Sequence, residues 1–277
     1  MYCSALAHVN TSECNATGFY GGGTKLVPID GAHGKVSADA LLREIEGAGV
    51  GLAHKSQPAA VNLVQATDMG AVYGLDEIAD VSRVAHARGL TVHMDGARFA
   101  NALVTLGCTP AEASWRAGVD VLSLGVTKNG GLLTDAIVVF APDVATSIGF
   151  HLRRAGLVWS KMRFASAQIM AYVDDDLWLR LARQANAAAA GIAQRLTPLA
   201  AIRLVAPVQA NELFVELPSA QAIEGLQEDG FLFQRRGPRL ARFVCRWDST
   251  EAECAALVAA IRRLAAAATV DNRGVQR

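Results

Sequence analysis

The first half of the chain alternates between two periodicities. Short apolar, β-branched runs near residues 2–7, 25–29, 60–66, 90–95, 119–125 and 136–141 predict strands. Between them, apolar residues recur three and four apart, which predicts helices over Ser37–Glu46, Leu75–Arg88, Arg98–Leu106 and Pro110–Ala117. Ser37 is placed to cap the first of these, and Gly89 and Gly118 stand where helices stop. This alternation predicts an α/β domain around a mostly parallel sheet.

After Phe140 the period changes. Residues 143–156 and 160–196 contain no proline and keep helical spacing, which predicts long helices. Further on, strands are expected over Asn211–Leu217, Phe231–Phe233 and Arg239–Cys245, with helices over 219–228 and 250–267. That is the pattern of a small α+β domain with an antiparallel sheet. The domain boundary is placed near residue 160, giving a large domain over 1–160 and a long helix plus small domain over 161–277. The tail from Val270 to Arg277 reads as frayed.

Composition narrows the partners. With 52% hydrophobic and 19% charged residues, the 277-residue chain can bury a substantial core, which excludes a disordered protein. Lys and Arg (26) balance Asp and Glu (26), so there is no electrostatic footprint for nucleic acid or an anionic membrane. Five cysteines form no CxxC and have no histidines at ligand spacing, so reduced cytoplasmic thiols are expected rather than a metal site. The start has no basic leader region, and no apolar run approaches a membrane span. A cytoplasmic protein acting on small molecules is expected.

Two segments carry candidate chemistry. His93-Met-Asp-Gly-Ala-Arg98 closes one predicted strand, and Ser123-Leu-Gly-Val-Thr-Lys-Asn-Gly130 closes another. An acid at one strand end and a lysine after the next suit pyridoxal phosphate (PLP): the amine forms a Schiff base, and the acid keeps the pyridine nitrogen protonated so the ring draws electrons. Either segment alone reads more simply as a surface lysine in a turn or a helix-capping aspartate. The pair in this order favours PLP.

Together with Leu6-Ala-His-Val9, Glu13-Cys14, Ser160-Lys-Met-Arg-Phe164, Asp175-Asp-Leu-Trp-Leu-Arg180, Gln209–Leu217 and Arg242-Phe-Val-Cys-Arg-Trp-Asp248, these segments resemble the threonine aldolases of the low-specificity type. That family lies in the aromatic amino acid β-eliminating lyase group of fold-type-I PLP enzymes. The resemblance spans about residues 2–267 and implies the PLP-dependent transferase-like (aspartate aminotransferase) fold. It also implies cleavage of β-hydroxy-α-amino acids to glycine and an aldehyde, in a homodimer or homotetramer. By the same resemblance Lys128 would carry PLP, Asp95 would pair with the ring nitrogen, and Arg98 would lie near the ring hydroxyl and the substrate carboxylate. His8 would stack on the ring and serve as a base for the β-hydroxyl, and Arg242 would clamp the substrate carboxylate.

Other readings of the same residues stay open. His8 could be an ordinary strand-end histidine, and His93 is expected to be buried and hydrogen-bonded. Arg235, Arg236, Arg239 or Arg246 could replace Arg242, and the family often has His where Arg246 stands. Lys161 and Arg163 read as surface charges, in a region that meets the partner subunit in the family. Asp174-Asp-Asp176 reads as a solvated helix start. The family's phosphate cradle is a Ser-Gly-Thr loop upstream of the segment matching His8. Gly21-Gly-Gly-Thr24 reads as a turn, so an in-frame upstream extension is expected to supply the cradle, and weak PLP binding without it. The rival activities are another fold-type-I β-eliminating lyase, a transaminase, or a non-catalytic truncated PLP-fold protein.

Overall fold

The computed structural model describes residues 1–274, with side chains described to residue 267. The chain divides into two compact units, Met1–Leu179 and Arg180–Arg277. In the first, β1 (Tyr2–Ser4) leads to two short helices, α1 (His8–Thr11) and α2 (Ala16–Tyr20). Then follow β2 (Val27–Ile29), α3 (Ala38–Gly47), β3 (Ala60–Val64), α4 (Leu75–His86), β4 (Thr91–Gly96) and α5 (Phe99–Leu106). β5 (Val121–Leu124), β6 (Ala136–Val139), α6 (Pro142–Arg154) and α7 (Arg163–Val173) follow, and α8 (Leu177–Leu196) carries the chain across the unit boundary.

The first unit's six-stranded sheet has the order β2-β1-β3-β4-β5-β6. All neighbours are parallel except β5 and β6, which are antiparallel. The runs read as strands are buried ones: Val61, Leu63, Val92 and Met94 are fully enclosed. Each such side chain contributes roughly 1.5–3 kcal/mol by leaving water. Along β4 the alternation is strict, with Val92 and Met94 inside and Thr91, His93 and Asp95 on the half-buried opposite face. α3 starts where Ser37 Oγ accepts the Ala40 N–H at 3.2 Å, as the cap pattern predicts.

In the second unit, the order β7-β8-β10-β9 joins β7 (Arg203–Leu204), β8 (Glu212–Glu216), β9 (Gln234–Arg235) and β10 (Leu240–Val244) in an antiparallel sheet. α9 (Ala220–Glu228) and α10 (Glu251–Gly274) accompany it. Ile192, Leu196, Leu213, Val215, Ile223, Phe243 and Ile261 belong to its core. Among the described residues, no helix is long and apolar enough to cross a membrane.

Five expectations change. β1 stops at Ser4 because the Ser4 oxygens take the Leu6 and Ala7 N–H groups and turn the chain into α1, so His8 opens a helix. Pro110–Ala117 is not an α-helix: Ser114 leaves helical angles (φ −130°, ψ −106°), and only a short 3₁₀ turn, Trp115–Ala117, remains. The long helix over 160–196 is broken at Asp175 and Asp176, with φ of 48° and 52°, a conformation aspartate tolerates better than most residues. The strand expected over Phe231–Phe233 lies at Gln234–Arg235 instead, because Phe231 and Phe233 pack onto the second unit's core. The last helix continues to Gly274 through part of the tail read as frayed; residues 275–277 lie outside the described residues.

Candidate active site

Parallel strands deliver their C-terminal ends to one edge of a sheet, where ligands of open α/β folds bind. Here β1, β3, β4 and β5 all end on that edge. β4 carries Asp95 one residue before its end at Gly96, and β5 runs into the turn bearing Lys128. In the ladder Asp95 pairs with Ser123 and Gly96 with Leu124, and the Gly125 N–H extends the register onto the Gly96 carbonyl at 3.0 Å. Glycine is needed for this approach: a Cβ on Gly125 would lie 2.6 Å from Ala97 Cα, and one on Gly96 would lie 2.7 Å from the Ser123 carbonyl oxygen. The acid-bearing and lysine-bearing turns therefore lie in direct contact.

Asp95 Oδ1 accepts the Ala97 N–H at 2.9 Å, and among the described residues its Oδ2 has no partner. That oxygen is free to accept a proton-bearing ring nitrogen. Lys128 stands exposed in a single 3₁₀ turn, Thr127–Asn129. Its neighbours are held tightly. Asn129 is buried and donates from Nδ2 to Tyr172 Oη at 2.7 Å and to the Trp178 carbonyl at 2.9 Å. On the other flank Asp135 Oδ1 accepts the Val126 and Thr127 N–H groups at 2.7 and 3.0 Å. Burial pushes the Tyr172 phenol up to about 12, so it remains neutral and available to Asn129.

α1 seats His8 beside the same edge. Ala7 and Val9 cluster with Val64, the residue paired with Asp95 in the ladder, and the Gln65 N–H donates to the Asp95 carbonyl at 2.8 Å. The His8 N–H donates to Asp68 Oδ2 at 3.2 Å, and Nδ1 lies 2.9 Å from Glu13 Oε1. His93 is the buried, bonded histidine its pattern suggests: Nδ1 lies 2.6 Å from Asn62 Oδ1 and Nε2 3.0 Å from Ser123 Oγ. Burial holds its pKa below the ordinary value, against the opposing charges of Asp95 and Glu13.

Arg98 is half-buried and heads α5 immediately after the Asp95 turn. Arg242 belongs to the second unit, where β10 places it between β8 and β9. Its Nε donates to Glu212 Oε1 at 2.8 Å and its Nη1 to Gln234 Oε1 at 2.6 Å, with Nη2 also on Glu212. The guanidinium lies 6.0 Å over the Phe214 ring. Its arginine neighbours are more exposed: Arg235 contacts loop carbonyls, Arg239 the Leu217 carbonyl, and Arg246 pairs with Asp248. Gly21–Thr24 forms a turn closed by Thr24 Oγ1 on the Gly21 carbonyl at 3.0 Å. Arg163 is exposed over the Phe164 ring, and Lys161 is exposed too. Among the described residues, no group of three His, Cys, Asp or Glu side chains could hold a metal ion.

Sequence reasoning missed Glu13 as the partner of His8, Glu212 as the partner of Arg242, and Asp135, Tyr172 and Trp178 around the lysine turn. Glu13 lies five residues from His8, and Asp135 eight and nine residues from the amides it accepts, so both are near in sequence. The others are partners across strands and helices.

A mostly parallel sheet with helices and a second, antiparallel sheet define this chain's fold as that of the fold-type-I class of PLP enzymes. The family described as beta-eliminating lyase matches residues 1–220. The chain is 40% identical over 266 residues to the low specificity L-threonine aldolase of Pseudomonas sp., covering 96% of this chain and 76% of the relative. It is 42% identical over 248 residues to the low specificity L-threonine aldolase of Pseudomonas aeruginosa, covering 89% and 71%. A solved Leishmania major threonine aldolase superposes with a TM-score of 0.85 at 24% identity, covering 95% of this chain and 77% of that one. The chain belongs to the beta-eliminating lyase family, in its threonine aldolase branch.

Proposed function

We propose that the chain is a PLP-dependent aldolase that cleaves β-hydroxy-α-amino acids of the threonine and allo-threonine type to glycine and an aldehyde. The observation that carries this reading is the close approach of the turn that follows Asp95 to the turn that leads to Lys128, through Gly96, Ala97 and Gly125. PLP, when bound, supplies the electron sink for the pair left on Cα as the Cα–Cβ bond breaks. Lys128 offers the amine that holds it, and Asp95 the charge that keeps the ring nitrogen protonated. Glu13 on Nδ1 of His8 favours the tautomer whose Nε2 is unprotonated, so Nε2 is the atom to take the β-hydroxyl proton. Arg98 offers a guanidinium fork for the substrate carboxylate; within the second unit Arg242 is a further candidate for that carboxylate, and Glu212 fixes the plane of its fork.

The assembly is proposed as a homodimer or homotetramer. Leu132, Phe150, Phe164 and Met170, each at least 60% exposed, support a further surface that covers them. A cytoplasmic setting is supported by the free thiols of Cys3, Cys14, Cys108, Cys245 and Cys254.

The test is product analysis with PLP supplied. Equimolar glycine and acetaldehyde from threonine, or benzaldehyde from phenylserine, supports the reading. Ammonia with a keto acid would move the chain to elimination chemistry, and absence of PLP absorbance would leave a non-catalytic relative.

A further inference from the structure

The lysine turn is built around an anion of the protein's own. Two successive backbone N–H groups, from Val126 and Thr127, converge with the Thr127 hydroxyl on the single oxygen Oδ1 of Asp135, at 2.7, 3.0 and 3.2 Å. Consecutive amides pointing at one spot, with a hydroxyl beside them, make an anion-binding concavity. Asp135 fills it from the start of β6, where Ala136 pairs with Leu124. On the far side the turn is tied to α7 and α8: Asn129 to Tyr172 and Trp178, and the Leu132 N–H to Gln168 Oε1 at 3.2 Å. Lys128, between these ties, has no polar partner among the described residues.

We propose that Asp135 is a positioning residue for Lys128, an internal carboxylate ligand whose occupation of the amide concavity holds the lysine turn in the shape that presents its amine to PLP. This rests on the assignment of Lys128 as the PLP-bearing lysine. Its consequence is specific: the Val126 and Thr127 donors are spoken for and do not serve the cofactor's phosphate, and removing the carboxylate leaves a gap that a small carboxylate from solution can fill.

The experiment compares wild type, Asp135→Ala and Asp135→Asn in the full chain supplied with PLP. Borohydride reduction and peptide mapping measure capture at Lys128, and hydrogen exchange of the Val126 and Thr127 amides is followed without PLP. Asp135→Ala is expected to lose capture by about tenfold or more, to expose both amides, and to regain both properties with added formate. Asp135→Asn keeps an acceptor oxygen without the charge and is expected to lie between the two. Unchanged capture in Asp135→Ala overturns the proposal. So does a loss that formate leaves untouched while the thermal midpoint stays at the wild-type value. If Asp135→Ala fails to fold, Asp135→Asn decides: full capture with wild-type amide protection overturns the role of the charge. Capture in wild type at a lysine other than Lys128 overturns the Lys128 assignment instead, and the amide exchange still reports on Asp135.

Discussion

At the scale of single residues, charge and geometry make separable demands. Asp95→Asn keeps the volume at the end of β4 and removes the anion. The expected loss in kcat is roughly 10²-fold or more, on the order of 3 kcal/mol, read from steady-state threonine cleavage. Near-full turnover would mean that another group protonates the ring. Arg242→Lys should raise KM for amino acids and spare PLP binding, because an ammonium cannot meet Glu212, Gln234 and a substrate carboxylate in one plane. Loss of PLP binding with KM unchanged would move Arg242 to the cofactor site. His93 makes a prediction about pH. Burial holds its pKa down, so the unfolded chain takes up this proton more readily than the folded one. The stabilisation is therefore complete above the ordinary histidine pKa of about 6.5 and is lost as pH falls from there toward the folded value. Thermal midpoints of wild type should drop more steeply than those of His93→Asn over about pH 7 to 5; parallel curves would contradict the assignment.

At the scale of elements, the two turns meet only because neither Gly96 nor Gly125 has a side chain. Gly125→Ala forces a Cβ against Ala97 backbone, and such overpacking costs about 1–3 kcal/mol. It should also weaken PLP capture at Lys128, because the acid and the amine move apart; a titration unchanged from wild type would show that the contact is slack. Ser37→Ala removes the cap of α3 and should cost about 1 kcal/mol in urea denaturation with no effect on turnover. These elements were legible because their signals are local. Ser37 precedes its helix, Val61 and Leu63 sit in an apolar run, Asp95 lies at the end of a strand, and Lys128 lies in the turn that follows one. What was illegible is set by partners distant in sequence or by single backbone angles. The break at Asp175 follows from two residues in the left-handed region, and the helical spacing of 160–196 continues on either side of it. Pro110–Ala117 has a helix's apolar spacing, but Ser114 departs from helical angles. Tyr172 and Trp178 touch Asn129 from more than forty residues away, and no periodicity encodes that.

At the scale of the whole molecule, assembly is the property most open to measurement. Sedimentation should give a dimer or tetramer, and Phe164→Glu should shift it toward smaller species. A monomer at micromolar concentration with PLP fully bound would contradict the proposed assembly. The antiparallel pairing of β5 and β6 bears on how the molecule comes together. It closes the lysine turn through residues 125–135 alone, whereas β4 and β5 are parallel and joined by the crossover through 97–120. Short closures cost less chain entropy and form sooner than long ones. The lysine's surroundings are thus a local hairpin able to form early, while Asp95 reaches its place beside them only when the crossover closes. A cofactor gripped by both would act as a staple between an early-forming piece and a late one.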